Sequence, residues 1–257
     1  ITAHDGDVNV YLYDDLTGQA RNISQTPEWD FNPVWSANGR LAWVSGLETN
    51  REIQMFDPAS GAAHTISADP ARDDSPVWSL QGWLAWVSER DGNSEIYRFN
   101  PATSVLQNVS QNSAHDQNPV WSHDGRLAWE SDRDGNWEIY EFDPATGGIQ
   151  NLSQHPLWDQ SPAWSPEGWL AWVSERDNNR EIYVLNPATG QPQNVSQNPA
   201  LDERIAWSRD GRLAWVSMQS ANRGVYVADL ATGAVTRVFH HEGGDVALVW
   251  YPSASAQ

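Results

Sequence analysis

The sequence has 257 residues, with 34 Asp and Glu against 15 Lys and Arg, a formal net charge of −19, no cysteine and 16 tryptophans. That charge repels nucleic acid and anionic membrane surfaces and favours cations or basic partners, while the missing thiols exclude disulfides, thiol catalysis and thiolate metal sites. No apolar run within the sequence approaches the roughly 18 residues of a membrane span and no stretch of it reads as a signal peptide; beginning at Ile1, it is expected to be a processed form or a piece of a longer protein.

The tryptophans set the organisation. Trp35, Trp78, Trp121, Trp164, Trp207 and Trp250 recur every 43 residues, and Trp43, Trp86, Trp129, Trp172 and Trp215 keep the same step. A period of 40 to 45 residues is that of a four-stranded propeller blade. In the clearest copy, Asn118 to Gln154, segment A (Pro119 to Ser122) ends at the turn residues Asp124-Gly125. Segment B (Arg126 to Ser131) runs into Asp134-Gly135-Asn136, a hairpin signal. Segment C (Glu138 to Asp143) ends at Pro144-Ala145-Thr146-Gly147, and segment D (Gly148 to Ser153) leads to the next copy. Helical periodicity is absent.

Ile1 aligns with Val44 and Gln257 with Ala214, so the two ends fall one position apart in the repeat. The expectation is an all-β, single-domain, six-bladed propeller over residues 1–257. The C-terminal segment A and the N-terminal segments would share one blade and close the ring. All eleven periodic tryptophans are expected in the wedges between blades, each removing about 150–250 Å² from water.

The unit resembles the repeat of TolB-type bacterial propellers. The resemblance rests on "P-x-W-S-x-D/E-G-x-L-A-W", then "S-x-R-D-G-N-x-E-I-Y" and a "D-P-A-T-G" turn, seen from Pro119 to Gly147 and nearly intact from Pro76 to Asn100. Departures lie at Gly46-Leu47-Glu48 and from Met218 to Gly224. The resemblance implies a periplasmic or extracellular propeller that works through protein contacts at its faces and axis. The repeat is also similar to propeller domains that gate some serine peptidases.

One repeated position invites a functional reading. Asp30, Asp73, Asp116, Asp159, Asp202 and Asp245 recur at the 43-residue step, just before segment A, and would circle one mouth of an axial channel. Carboxylates about 7 Å apart would repel by roughly 2 kcal/mol at an effective dielectric of 20. Arg90, Arg133 and Arg176 could relieve three of them, while His4, Leu47 and Gln219 stand at the equivalent places in the other copies. Each Asp could cap its own loop by accepting backbone N–H bonds. Alternatively, the uncompensated Asp30, Asp202 and Asp245 could bind a divalent cation or a basic peptide. Beside this ring Trp29, Phe31, His115 and Trp158 suit a recognition surface.

Other motifs are discounted. Asp132, Asp134, Asn136 and Glu138 imitate part of a calcium loop without its Gly and late bidentate Glu. Asn22, Asn108, Asn151 and Asn194 begin N-x-S triplets as repeat positions. No Gly-x-Ser-x-Gly elbow, phosphate loop or His-Glu-x-x-His occurs. The reading is therefore a non-enzymatic, monomeric scaffold for a protein or peptide, with no cofactor beyond that cation. The alternatives are a carbohydrate-binding propeller using Trp29, Trp83, Trp137, Trp158 and Trp169, an accessory domain of a larger enzyme or receptor, or a recently amplified or engineered array.

Overall fold

A computed structural model describes residues 2–4, 7–47, 50–219, 222–242, 248 and 250. These form 24 strands, in two compact units, Ile1–Pro119 and Val120–Gln257.

The first unit opens with two short hairpins. One pairs β1 (Thr2–His4) with β2 (Asp7–Asn9), the other β3 (Tyr11–Asp14) with β4 (Gln19–Asn22). Two four-stranded antiparallel sheets follow, each in sequence order. The first comprises β5 (Asp30–Trp35), β6 (Leu41–Leu47), β7 (Asn50–Asp57) and β8 (Ala62–Thr65). The second comprises β9 (Asp73–Trp78), β10 (Leu84–Ser88), β11 (Glu95–Asn100) and β12 (Val105–Asn108). Strand β13 (Asp116–Trp121) carries the chain into the second unit and heads a sheet with β14 (Leu127–Ser131), β15 (Glu138–Asp143) and β16 (Gly148–Asn151). The next sheet is β17 (Asp159–Trp164), β18 (Leu170–Ser174), β19 (Glu181–Leu185) and β20 (Pro192–Asn194). The last is β21 (Leu201–Trp207), β22 (Leu213–Gln219), β23 (Asn222–Asp229) and β24 (Ala234–Glu242). These five four-stranded sheets match the expected A-B-C-D order. The C-terminal segment expected to complete a sixth lies largely outside the described residues.

The sequence of the second strand explains the core. In "L-A-W", alternate side chains point to opposite faces. Leu84 and Trp86 meet Ala42, Val44 and Ile53 of the preceding sheet in one cluster. Leu170 and Trp172 likewise meet Ala128 and Ile139, and Leu213 and Trp215 meet Ala171, Val173, Ile182 and Val184. A large indole thus faces a small Ala on the neighbour, which lets two twisted sheets approach. Trp43, Trp86, Trp129, Trp172 and Trp215 have no exposed surface. Each such burial contributes about 4–6 kcal/mol gross, before ordering entropy is subtracted.

The other tryptophan series behaves differently from expectation. Trp35 is 54% exposed, and Trp78, Trp121, Trp164, Trp207 and Trp250 are only partly buried. Trp35, Trp78, Trp121, Trp164 and Trp207 end the first strand of their sheets, where the chain leaves the packed wedge. Two of the series hydrogen-bond to the sheet before: Trp207 Nε1 donates to Ala163 O at 2.9 Å and Trp250 Nε1 to Ala206 O at 3.0 Å.

The first strands are also bulged, which the repeat pattern did not announce. Asn32, Ser75, Asn118, Ser161 and Arg204 hold φ between 52° and 58°, in the left-handed region. Register shifts accompany this position where strands β5, β17 and β21 pair with the next strand.

Candidate functional site

The repeated aspartates are the first or second residues of their strands, not loop residues before them. Asp30, Asp73, Asp116, Asp159 and Asp202 have no exposed surface. The expected crown of open carboxylates is therefore replaced, at these five positions, by internal anchors; Asp245 lies outside the described residues.

The donors are side chains. Trp43 Nε1 donates to Asp30 Oδ1 at 3.0 Å, Trp86 Nε1 to Asp73 at 2.9 Å and Trp172 Nε1 to Asp159 at 2.9 Å. Each buried indole N–H thus meets a buried acceptor, which removes the cost of leaving either group unpaired. From the loop before the strand, Asn112 Nδ2 donates to Asp116 at 2.7 Å and Asn198 Nδ2 to Asp202 at 2.8 Å. Arg90 lies 3.4 Å from Asp73 and Arg176 lies 3.0 Å from Asp159.

Burial pushes the Asp73 and Asp159 carboxyls up, opposed by the Ser88 and Ser174 hydroxyls and by Arg90 and Arg176. Asp202 has Gln219 where the others have arginine, and burial pushes it up to about 6, opposed by the Ser217 and Ser196 hydroxyls. Its Oδ1 and the Trp215 Nε1 both lack a hydrogen-bond partner, so the indole–carboxylate bond of the other sheets is not made here.

The turn after the second strand carries the densest polar chemistry, and all of it is internal. Arg90 Nε donates to Ser88 Oγ at 2.8 Å, its Nη2 to Ser67 O at 3.3 Å, and its guanidinium lies 4.4 Å from the Tyr97 ring centre. Arg176 repeats this with Ser174, Ser153 and Tyr183. Asn93 Nδ2 donates to the carbonyls of Asn112 and Ala114 at 3.0 and 2.6 Å. Glu95 accepts from Ser110 Oγ at 2.5 Å and from the Asn112 N–H.

The calcium-like run is consumed in the same way. Asp134 accepts from Tyr140 and Asn151, while Asn136 donates to Glu138 and to His155 O. Among the described residues no three His, Asp or Glu gather as a metal would need. Burial and the Asp91, Asp134 and Asp177 acceptors push the Tyr97, Tyr140 and Tyr183 hydroxyls up to about 12.

In three copies the described strand pairing extends further, with His4 opposite Asp7, Leu47 opposite Asn50 and Gln219 opposite Asn222. Gly46 adopts φ 122°, and a Cβ there would stand 2.2 Å from Asn50 O.

The variable neighbours are split by the structure. Trp29 is 47% exposed and Trp158 48%, each on the loop before a first strand. His115 is exposed as well. Phe31 is half-buried, with the Arg51 guanidinium 5.0 Å above its ring. Of the other proposed stacking platforms, Trp83 lies under Arg98 at 4.3 Å, Trp169 packs on the core, and Trp137 is half-buried. Sequence reasoning missed the bulge residues and Glu130, whose Oε1 accepts the Ser161 N–H at 2.6 Å. Their signal was the dipeptide Asn-Pro or Ser-Pro at Asn32, Ser75, Asn118 and Ser161.

Comparison with known proteins agrees with this architecture. The model of the TolB beta propeller domain matches residues 7–169 and 119–256. No curated protein matches the chain. TolB from Acinetobacter baumannii superposes with a TM-score of 0.63 at 20% identity, over 93% of this chain and 61% of that one. The putative TolB from Agrobacterium tumefaciens gives 0.60 at 21%, over 90% and 88%. A puromycin-hydrolyzing peptidase of Mycobacterium tuberculosis gives 0.67 at 18%, over 89% of this chain and 41% of the peptidase. The chain thus spans about three-fifths of the first TolB and two-fifths of the peptidase, and these likenesses speak for the fold. By repeat, sheet order and family match, the chain belongs to the TolB beta propeller domain family.

Proposed function

We propose that the protein is a non-enzymatic binding scaffold, a closed six-bladed propeller that presents its loop face to a protein or peptide of basic character. One observation carries this reading. The polar residues repeated from copy to copy are engaged within the chain, whereas two that vary, Trp29 and Trp158, are half exposed, and the loop of Trp158 is tied down by Asn136 through His155 O. Rigid aromatic anchors on an acidic scaffold suit recognition of a cationic segment. Among the described residues no helix is long and apolar enough to cross a membrane, and a periplasmic or extracellular setting accords with the family. The peptidase likeness favours a second reading, a docking domain within a larger protein.

Fluorescence polarisation with a Lys-rich peptide at low salt tests the first. Saturable binding that weakens about tenfold in Trp158→Ala or Trp29→Ala supports it. An absence of binding, or binding by both variants as tight as by the parent, refutes it. A glycan array run beside it would show saturable sugar binding instead if the aromatic residues serve carbohydrate.

A further inference from the structure

In the second unit, the sheets β17–β20 and β21–β24 together line a groove of about 240 Å³ whose walls include Trp169, Gln193, Asn194, Asp229 and Leu230. Two of these residues differ in their surroundings from their counterparts in other copies. Trp169 stands where three copies have Arg40, Arg126 and Arg212 and one has Trp83. The Trp83 ring is covered, because the Arg98 guanidinium lies 4.3 Å from its centre. Gln107 Oε1 holds that guanidinium in place, accepting from its Nε at 3.1 Å and its Nη2 at 2.8 Å.

In the Trp169 copy this clasp is dismantled, since Val184 replaces the arginine. Gln193 pairs across the strands with Val184, as Gln107 pairs with Arg98 and Gln150 with Glu141. Gln150 Nε2 donates to Glu141 at 3.0 Å, whereas a valine offers an amide nothing. Among the described residues the exposed Gln193 side chain makes no hydrogen bond, and the half-buried Trp169 has no guanidinium over it. Across the groove Asp229 Oδ1 accepts the Ala231 and Thr232 N–H groups at 2.9 and 3.1 Å, which leaves Oδ2 for a ligand.

We infer that this groove binds a neutral pyranose sugar with equatorial hydroxyls, its C–H face on Trp169 and its hydroxyls on Gln193 and Asp229. An indole supplies a flat apolar surface, a primary amide both donates and accepts, and a carboxylate accepts, which together match a ring apolar on its face and polar on its rim. A wholly apolar ligand would strand the amides and the carboxylate without partners. Asp229 is the one ionisable group among the described lining residues, so the wall suits an uncharged ligand although the chain carries −19. The volume falls just below the roughly 300–1,000 Å³ of sites for drug-sized molecules and suits a single sugar ring. The site is separate from the proposed peptide surface: Trp158 precedes β17 and Trp169 follows it, at opposite ends of one strand.

The test is saturation-transfer difference NMR on the full 257-residue chain with methyl β-D-glucopyranoside and methyl N-acetyl-β-D-glucosaminide. Saturable transfer to the ring protons of at least one is expected, with a dissociation constant on the order of 1 mM. Trp169→Arg removes the platform with a residue that three other copies carry at this place, and should weaken binding at least about tenfold. Gln193→Ala, at an exposed position without a hydrogen bond to lose, should weaken it at least about threefold. Far-UV circular dichroism checks that both variants are folded. Trp158→Ala should leave sugar binding unchanged, which separates this site from the peptide surface. Absence of transfer to both sugars overturns the inference, and so does undiminished binding in either folded groove variant.

Discussion

Asp159→Ala provides a direct test of the buried carboxylate network. It removes the acceptor of the Trp172 indole N–H at 2.9 Å and the partner of Arg176 at 3.0 Å, in a pair whose side chains are 0% and 13% exposed. Removing one member of a buried pair costs about 3–5 kcal/mol, because the surviving charge stays desolvated. The orphaned indole N–H adds about 1–3 kcal/mol. Against this, Arg176 keeps Ser174 Oγ, Ser153 O and the Tyr183 ring. The net expectation is a loss of about 3–5 kcal/mol, seen as a fall in Tm of roughly 6–20 °C for a chain of this size. Arg176→Met should be destabilising as well, and the double variant should cost at least about 1 kcal/mol less than the sum of the singles. Urea unfolding followed by tryptophan fluorescence measures all three. A loss below 1 kcal/mol for Asp159→Ala, or strictly additive singles, would refute the anchoring role.

Three further predictions address other positions. Asp202, with its carboxyl raised to about 6 by burial, binds a proton more tightly folded than unfolded, so its contribution to stability falls as pH rises from about 4 to about 6. Asp202→Asn should therefore match the parent near pH 4 and exceed it by up to roughly 3 kcal/mol at pH 7.5, and urea midpoints that stay parallel across this range would contradict the assignment. Spectrophotometric titration should find tyrosines that ionise only near pH 12, and Tyr97→Phe, Tyr140→Phe and Tyr183→Phe should each remove part of that step. Gly46→Ala should lower Tm far more than Gly92→Ala: both have positive φ, but the new methyl meets Asn50 O at 2.2 Å in the first case and open space in the second.

Periodicity made much of this legible before any coordinates. A fixed 43-residue step with turn residues at fixed offsets specifies four strands per unit, and β14 and β15 fall within a residue of segments B and C. Burial of Trp43 and its counterparts followed from a large apolar group repeated inside a strand. The aspartates were harder, because a repeated acid has the same signature whether it lines a channel or is buried against an indole. What decides is side-chain alternation: Asp30 pairs opposite Ser45, whose strand neighbour two residues back is Trp43, on the same face. Trp35 was overread because a strand-ending residue repeats as faithfully as a central one. The bulges were missed because the segment was counted from Pro119 without the preceding left-handed residue.

The clasp formed by Arg90 and Asn93 has an evolutionary consequence. One grips Ser67 O ahead of its sheet, the other Asn112 O and Ala114 O behind it. Main-chain oxygens are the same in every sequence, so a junction built on them tolerates almost any neighbour. A gene encoding such modules can be lengthened or shortened by whole copies without redesigning the seams, and the near-identity of these units is the trace such copying would leave.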